Sequence, residues 1–475
     1  MSEKQYLGYL EKLSSEKAYE ELENICDNAI DKVINAKDIK PGEGRVIYVS
    51  ALGDDKNDGL SEETPVKSLK RVRNMLAEND TVLFRRGDMF RGALCAFDGN
   101  TFGAYGKGKK PIINGSKMNC AKGELWKKTD KENVYVCKEG FSNIGVILFD
   151  PSYEYGNYDE KYGEMKPFGT DDFTDDLDFY CDMKTGKLYL YCEGGNPGER
   201  FSDIEIGDYI SLVFGEGKDV TIDNIWFMIA GIHGVSMRKQ CDNRTVTNCI
   251  FSWIGGSMFW MREMPDKTIR PVRYGNAVEL YGGCEKFTVK NNWTYQIFDT
   301  GLTFQYNYRN NDDCIQKDIV FADNVVEFSF WGIEFYNTAL KKEADRSCKN
   351  IHIINNFCRY VGYGWGCENN RFYPARSLSS FNITGEIENF VIERNIFCQS
   401  NGLNVAANRD NLKYVNFKDN VYVNKKGENF IEFNWGKVNV PFEEEAKKIL
   451  VEDFHEEEPT FVYIPKPEKY FYKKQ

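Results

Sequence analysis

Histidine is scarce in this chain. It occurs three times in 475 residues, at His233, His352 and His455, and never in the spacing of a zinc-binding helix. No GxSxG elbow, P-loop or dinucleotide fingerprint is present, which removes serine hydrolase, nucleotide hydrolase and nicotinamide chemistries as leading readings. No run of 18 apolar residues occurs, so no segment reads as a membrane span. A basic surplus is also missing. Lys and Arg total 61 against 73 Asp and Glu, and the net charge of −12 argues against nucleic acid or an anionic membrane as partner. Cysteine is not scarce, at 14, but no CxxC pair occurs, and Cys249, Cys358 and Cys398 fall in strand-like runs. These are expected to be reduced, buried thiols. The first residues, MSEKQYLGYLEKLSSEK, lack an apolar signal core, and the expected location is cytoplasmic.

What is abundant is aromatic residues, at 15%, and a repeat. Residues 1–43 carry helical spacing (Leu7, Leu10, Leu22, Ile25, Val33) and read as a helical segment that caps the strand-rich body of the chain. Residues 44–117 alternate short strands and turns. The loop Asp54, Asp55, Asn57, Asp58 has the composition of a structural Ca²⁺ site, but Asx turns explain it equally well, and no cofactor is expected. Residues 118–202 break the rhythm with antiparallel-looking strands around Lys184-Thr185-Gly186 and read as a small β-rich insert. Residues 203–435 then repeat an Asn before an apolar run at Asn224, Asn248, Asn292, Asn324, Asn356, Asn395 and Asn420. About ten residues later comes a strand: HGVSM, TGLTF, WGIEF, YGWGC, NGLNV, NFIEF. No single repeat can bury its own apolar face, so the coils must stack. The expected fold is all-β: a right-handed parallel β-helix with a short N-terminal helical cap and a small β-rich insert. Val235, Leu302, Ile333, Trp365 and Leu403 should share one inward row. Residues 436–475 read as a helix and tail.

Stacking at ~4.8 Å per coil turns each position into a ladder. The outward positions are expected to form one column through Ser236, Glu279, Thr303, Glu334, Gly366, Asn404 and Glu432. A second runs through Arg238, Tyr281, Gln305, Tyr336, Glu368, Ala406 and Asn434. A solvated face of Lys, Glu and Thr would be ordinary. Carboxylates beside Tyr, Gln and Asn, with Trp260 and Arg273 in loop 254–275 and Arg371 in loop 367–384, suit a sugar. Asp299, in a turn before the middle strand, and Glu334, on the next coil, would stand roughly 5–6 Å apart by strand spacing, near the ~5–5.5 Å of a retaining glycosidase pair. Trp331 and Tyr336 beside Glu334 would favour its protonated form. Glu279, two coils from Glu334, is a second carboxylate or a hydroxyl binder, and His233 is a candidate sugar ligand.

Three stretches carry a family resemblance: IYVSALGDDKNDGLSEETPVKSL, FGAYGKGKKPIINGS, and GNAVELYGGCEKFTVKNN with YQIFDTGLTFQ and WGIEFY. The chain resembles the parallel β-helix carbohydrate-active proteins of the pectin-lyase-like superfamily. Within these it is most similar to the β-helical glycoside hydrolases such as the β-helical β-xylosidase family, which carries an extra β domain. The resemblance implies an Asp nucleophile and a Glu acid/base on successive coils, matching Asp299 and Glu334 once the polar loop 306–316 is set aside. The expected function is an exo-acting, retaining glycoside hydrolase on imported plant- or host-derived oligosaccharides. The alternatives are a polysaccharide lyase or uronate epimerase, using Arg238 or Arg273, and a non-catalytic carbohydrate-binding β-helix.

Overall fold

The computed structural model describes residues 9–465 apart from 43, 239–240, 265, 308–312, 340–344, 368–373, 408–412 and 434–437. From Val46 the chain winds into coils whose strands form three ladders. The first is a ten-stranded sheet from Val46–Val49 to Val415–Lys418. The second passes through Trp226–Ala230, Ile250–Ile254 and the first halves of Trp293–Tyr306 and Val325–Asn337 to Thr460–Tyr463. The third takes Val235–Arg238, Val278–Tyr281 and the second halves of those two long strands, then Arg376–Ile383, Leu403–Ala407 and Asn429–Phe433. All of these pairings are parallel, and only Val438–Pro441 adds an antiparallel edge. This is a right-handed parallel β-helix.

Side chains alternate in and out along each strand, so register decides what fills the interior. One buried row stacks Val235, Val278, Leu302, Ile333, Leu378, Val405 and Ile431. The expected row differs at two places: Leu378 and Val405 stand where Trp365 and Leu403 were anticipated. The segment YGWGC is not a coil strand but ends in a short 3₁₀ turn, Trp365–Cys367, lying over the neighbouring coil. Glycine permits this closeness. A Cβ on Gly366 would stand 2.2 Å from the Phe298 carbonyl oxygen, and one on Gly364 1.9 Å from that of Phe328.

The asparagine column has two components. Asn292, Asn324, Asn356, Asn395 and Asn420 are buried, and each of the first four donates its side-chain amide to the next at 2.9–3.0 Å. Each amide also reaches a backbone carbonyl, so the turn's polar groups are satisfied coil after coil. Glu456 closes the row by accepting from Asn420 at 2.9 Å. Asn224 and Asn248 belong one residue earlier, at the left-handed position (φ 58° and 55°), which Asn tolerates well.

Two elements cover the outside of the second ladder. The helix Ser15–Ile34 buries Ala18, Leu22, Cys26, Ile30 and Val33 on one face, at the i+4 and i+3 spacing of an amphipathic helix. It flanks the stack from Tyr463, whose carbonyl accepts from Ser15, past Tyr360, which meets Tyr19 at 3.2 Å. Asn224 holds the segment just beyond the helix, donating to Lys37 O at 2.9 Å. Residues between Trp126 and Gly207 pair antiparallel, in a four-stranded and a three-stranded sheet around their own buried side chains, including Trp126, Phe149, Phe179 and Leu190. Among the described residues no helix is long and apolar enough to cross a membrane.

Candidate functional site

The third ladder leaves its outward face uncovered by the helix, and its acids line up there. Register stacks Ser236, Glu279, Thr303, Glu334, Ser379, Ala406 and Glu432. The expected column placed Gly366 and Asn404 where Ser379 and Ala406 stand. Asn404 points the other way: it is buried, donates to Phe397 O at 2.8 Å and accepts from Asn424 at 3.0 Å. It is a structural residue of the coil interior.

Asp299 does not lie in a turn before a strand. It sits inside the 14-residue strand Trp293–Tyr306, at a β-bulge where Ile297 pairs with Ser329 but Thr300 with Trp331. One extra residue in this strand bends it between the second and third ladders and re-aims the side chains around it. The Asp299 amide donates to Gly275 O at 3.0 Å, and its side chain is half-buried at the wall of a cavity. Thr300, the next residue, and Thr303 bring their hydroxyls to Glu334 Oε2 at 3.5 and 3.3 Å. Glu334 is buried, and its carboxyl is held well above the usual range. Loss of solvation is the main cause, followed by the negative charge of Asp299; Glu279 adds to the effect, while the Thr303 hydroxyl and Arg376 oppose it. Tyr336, half-buried beside it, is likewise raised, by burial and then by Glu334.

Glu279 is held by three donors. Asn276 and Gln305 donate to Oε2 at 2.7 and 2.9 Å, and His233 Nε2 lies 3.3 Å from Oε1. The Asn276 amide donates to His233 Nδ1 at 3.0 Å, so in the neutral ring the proton sits on Nε2 and points at Glu279. His233 therefore serves a carboxylate. Its ring stands edge-on to Tyr274 at 5.5 Å.

The cavity, about 640 Å³, has three sides. The coil supplies Phe298, Asp299, Phe330, Trp331 and Trp365. The hairpin Ser257–Glu263 with Ile269–Tyr274 supplies a second wall, and residues 162–172 the third. Trp331 donates to Pro374 O at 3.2 Å and has the Arg376 guanidinium 5.3 Å from its ring. Arg376 also reaches Glu432 at 3.2 Å and Ser379 at 3.3 Å. Arg273 lines the cavity but is engaged by the Gly256 and Gly145 carbonyls at 2.5 and 3.0 Å and lies over the Phe298 ring at 4.3 Å. Trp260 is on the hairpin, its ring tilted against Phe259 at 4.4 Å, and is not among the residues lining the cavity. Tyr281 is half-buried, edge-on to Tyr306 at 5.4 Å. Glu368 and Arg371, and the side chain of Arg238, lie outside the described residues.

Several participants carry weak signals in the sequence. Asn276 and Thr300 sit in strand-flanking positions where a structural role is the default. Arg376 and Ser379 belong to a strand that the WGC segment obscures. Tyr162, Phe168 and Asp172 are separated from Asp299 by more than a hundred residues. The acidic loop at Asp54 uses its carboxylates on its own backbone: Asp55 accepts from the Lys67 and Ser68 amides, and Asp58 from that of Leu60. Among the described residues, no group of three or more His, Cys, Asp or Glu is placed to hold a metal ion.

No protein-family model matches this chain, and no curated protein matches it. Solved structures do resemble it. The complex of XylC with xylose aligns at 10% identity over 82% of this chain and 70% of that one, with a TM-score of 0.46. A glycoside hydrolase aligns at 10% identity over 90% and 97%, with a TM-score of 0.42. A rhamnogalacturonan lyase aligns at 11% identity over 81% and 76%, with a TM-score of 0.43. At these identities and scores the similarities assign neither reaction nor substrate.

Proposed function

We propose that the protein is a glycoside hydrolase, retaining and exo-acting, with Asp299 as nucleophile and Glu334 as general acid/base. One observation carries this reading: two neighbouring carboxyls sit in contrasting environments. Glu334 is buried and biased toward its protonated form, whereas Asp299 opens onto the cavity. Such a pair divides acid and nucleophile roles between chemically identical groups. In the first step the Asp299 carboxylate bonds to the anomeric carbon while the bond to the leaving oxygen breaks and Glu334 gives that oxygen its proton. In the second, water attacks the same carbon, loses a proton to Glu334, and frees Asp299. Trp331 and Phe298 line the cavity beside Asp299 and supply apolar surface for the sugar. Glu279, with its oxygens committed to Asn276, Gln305 and His233, adds to the bias that keeps the proton on Glu334. Walls on two sides of the coil favour a chain end over a chain interior.

The test is a panel of nitrophenyl glycosides followed by proton NMR of the first-formed sugar. Retention of configuration is expected. Inversion would move the second carboxylate to Glu279. An unsaturated product absorbing in the near ultraviolet would replace hydrolysis by a lyase reaction.

A further inference from the structure

Each of the two outer walls of the cavity carries an apolar stretch that offers a second sugar no hydrogen bond. On one side stand Met165, Pro167 and Phe168; on the other, Ile269, Pro271 and Val272. Only one of these six offers a flat ring and none offers a hydrogen bond from its side chain. A pyranose exposes hydroxyls all round its rim, and each one enclosed without a partner costs free energy that an aliphatic wall cannot return. Asn, Gln, Ser and His are absent from the described lining; the side-chain hydrogen-bonding groups outside the coil are those of Glu164, Asp172, Thr268, Tyr162, Tyr274 and three arginines. Arg273 is committed to two carbonyls and a ring face, and Arg262 and Arg270 face each other across the hairpin near its turn. Phe168 and Ile269 are also 60% and 53% exposed, a large apolar surface to leave in water at the mouth of a pocket.

We propose that the space between these walls takes an apolar aglycone, an aryl or alkyl group joined through oxygen to the sugar at Asp299, in place of a second sugar unit. This rests on the glycosidase reading and specifies its substrate class. The sugar would lie over the coil surface of Trp331 and Phe298, and the aglycone would be enclosed by the hairpin and by residues 165–168.

Binding of octyl and methyl glycosides of glucose, galactose and xylose, both anomers, tests this without requiring turnover. The octyl compounds are kept below their micelle concentrations, and tryptophan emission reports occupancy, since Trp331 and Trp365 line the cavity. For at least one sugar the octyl compound should bind about tenfold or more tighter than the methyl compound, since two newly buried methylenes suffice for about a factor of ten. Ile269→Asp and Phe168→Asp, both at exposed positions, should each lose about that factor for the octyl compound and leave the methyl compound unchanged. Equal binding of the octyl and methyl pairs, no saturable octyl binding, or octyl binding unaffected by either variant would overturn the proposal. Octyl preference without cleavage of any glycoside would retain the subsite and remove hydrolysis. Cleavage with equal binding of both members of each pair would do the reverse.

Discussion

The strands Trp293–Tyr306 and Val325–Asn337 each cross two faces of the coil stack, and their halves have opposite surroundings. On the first half, outward residues Trp293, Tyr295, Val325 and Glu327 are sealed beneath the N-terminal helix and the loop around Tyr158. The acid there, Glu327, is saturated: Arg359 Nε and Trp293 Nε1 donate to it, and so does the Tyr158 hydroxyl at 2.8 Å, while Glu23 holds the other end of Arg359 at 2.7 Å. On the second half, Glu334 receives hydroxyls from Thr300 and Thr303 and has the like charge of Asp299 beside it. Both faces are built from the same two parallel strands, with the bulge at Asp299 between them. The difference teaches that enclosure alone does not make a structural carboxylate; enclosure with charged donors does, and enclosure beside another acid biases the group toward its protonated form.

The largest expected effect lies on the open face. Asp299→Asn and Glu334→Gln should each lower kcat by ~10²–10⁴ or more, the scale of a lost acid–base or nucleophilic group, with thermal unfolding close to wild type. Azide should restore turnover of Glu334→Ala with retained configuration and of Asp299→Ala with inverted configuration. A wild-type rate for Asp299→Asn on any cleaved substrate would end its assignment as nucleophile.

The covered face should answer in the opposite way. Glu327→Leu strands Arg359 and two further donors in a sealed site, and removing one partner of a buried ion pair typically costs ~3–5 kcal/mol. Denaturant unfolding should show that loss, while protein that remains folded keeps its turnover number. If Glu327→Leu instead unfolds like wild type and lowers kcat, the contrast between the faces is wrong.

Glu456 lies between these cases. It is buried, bonded to the neutral groups of Asn420 and Tyr422 at 2.9 and 2.8 Å, and pushed up to about 7, chiefly by loss of solvation. A carboxyl whose folded value exceeds its unfolded 4.5 contributes stability that is whole below pH 4.5 and lost as pH rises through about 7. At ~1.4 kcal/mol per unit the loss is ~3 kcal/mol. Unfolding free energies of wild type should carry this fall from pH 4.5 to 7.5, and those of Glu456→Gln should lack it. An unchanged slope in the variant would place the titration elsewhere.

The fold was legible because its determinants are local and repeated. An Asn before each apolar run marks a turn that must satisfy the same amides on every coil, and strands that alternate by two declare their inner face. What misled was a segment that imitates the pattern: YGWGC has a coil's spacing, yet its glycines serve close approach to the Phe298 and Phe328 carbonyls. NGLNV imitates TGLTF but pairs two residues out of that register, which carried Asn404 into the wrong column. The acids at 279 and 334 were legible because register follows from a count between strands. The bulge at Asp299 was not, since one extra residue leaves no mark in composition. His233 could be singled out by rarity, but its partner could not, because Glu279 becomes its neighbour only when coils stack. The hairpin and the 162–172 wall line one cavity although roughly a hundred residues separate them, which no periodicity encodes.

The smallest effect separates catalysis from tuning. Glu279 stands two coils from Glu334, ~9.6 Å by strand spacing. At an effective dielectric of ~20, a unit charge at that distance acts with ~1.7 kcal/mol, about one pKa unit at most. Its sign is to hold the proton on Glu334. Glu279→Gln keeps a side-chain oxygen for one donor and removes the charge, so Glu334 should lose its proton at lower pH. The alkaline limb of kcat/KM should therefore move down by up to about one unit, with the rate below that limb nearly unchanged. His233→Ala leaves the charge in place but frees the carboxylate to turn, so it should move the limb less and raise KM if Glu279 or its neighbours touch the sugar. A collapse of kcat at all pH values in Glu279→Gln would make Glu279 a reacting group. An unmoved limb would show that Asp299 and burial alone hold the proton on Glu334.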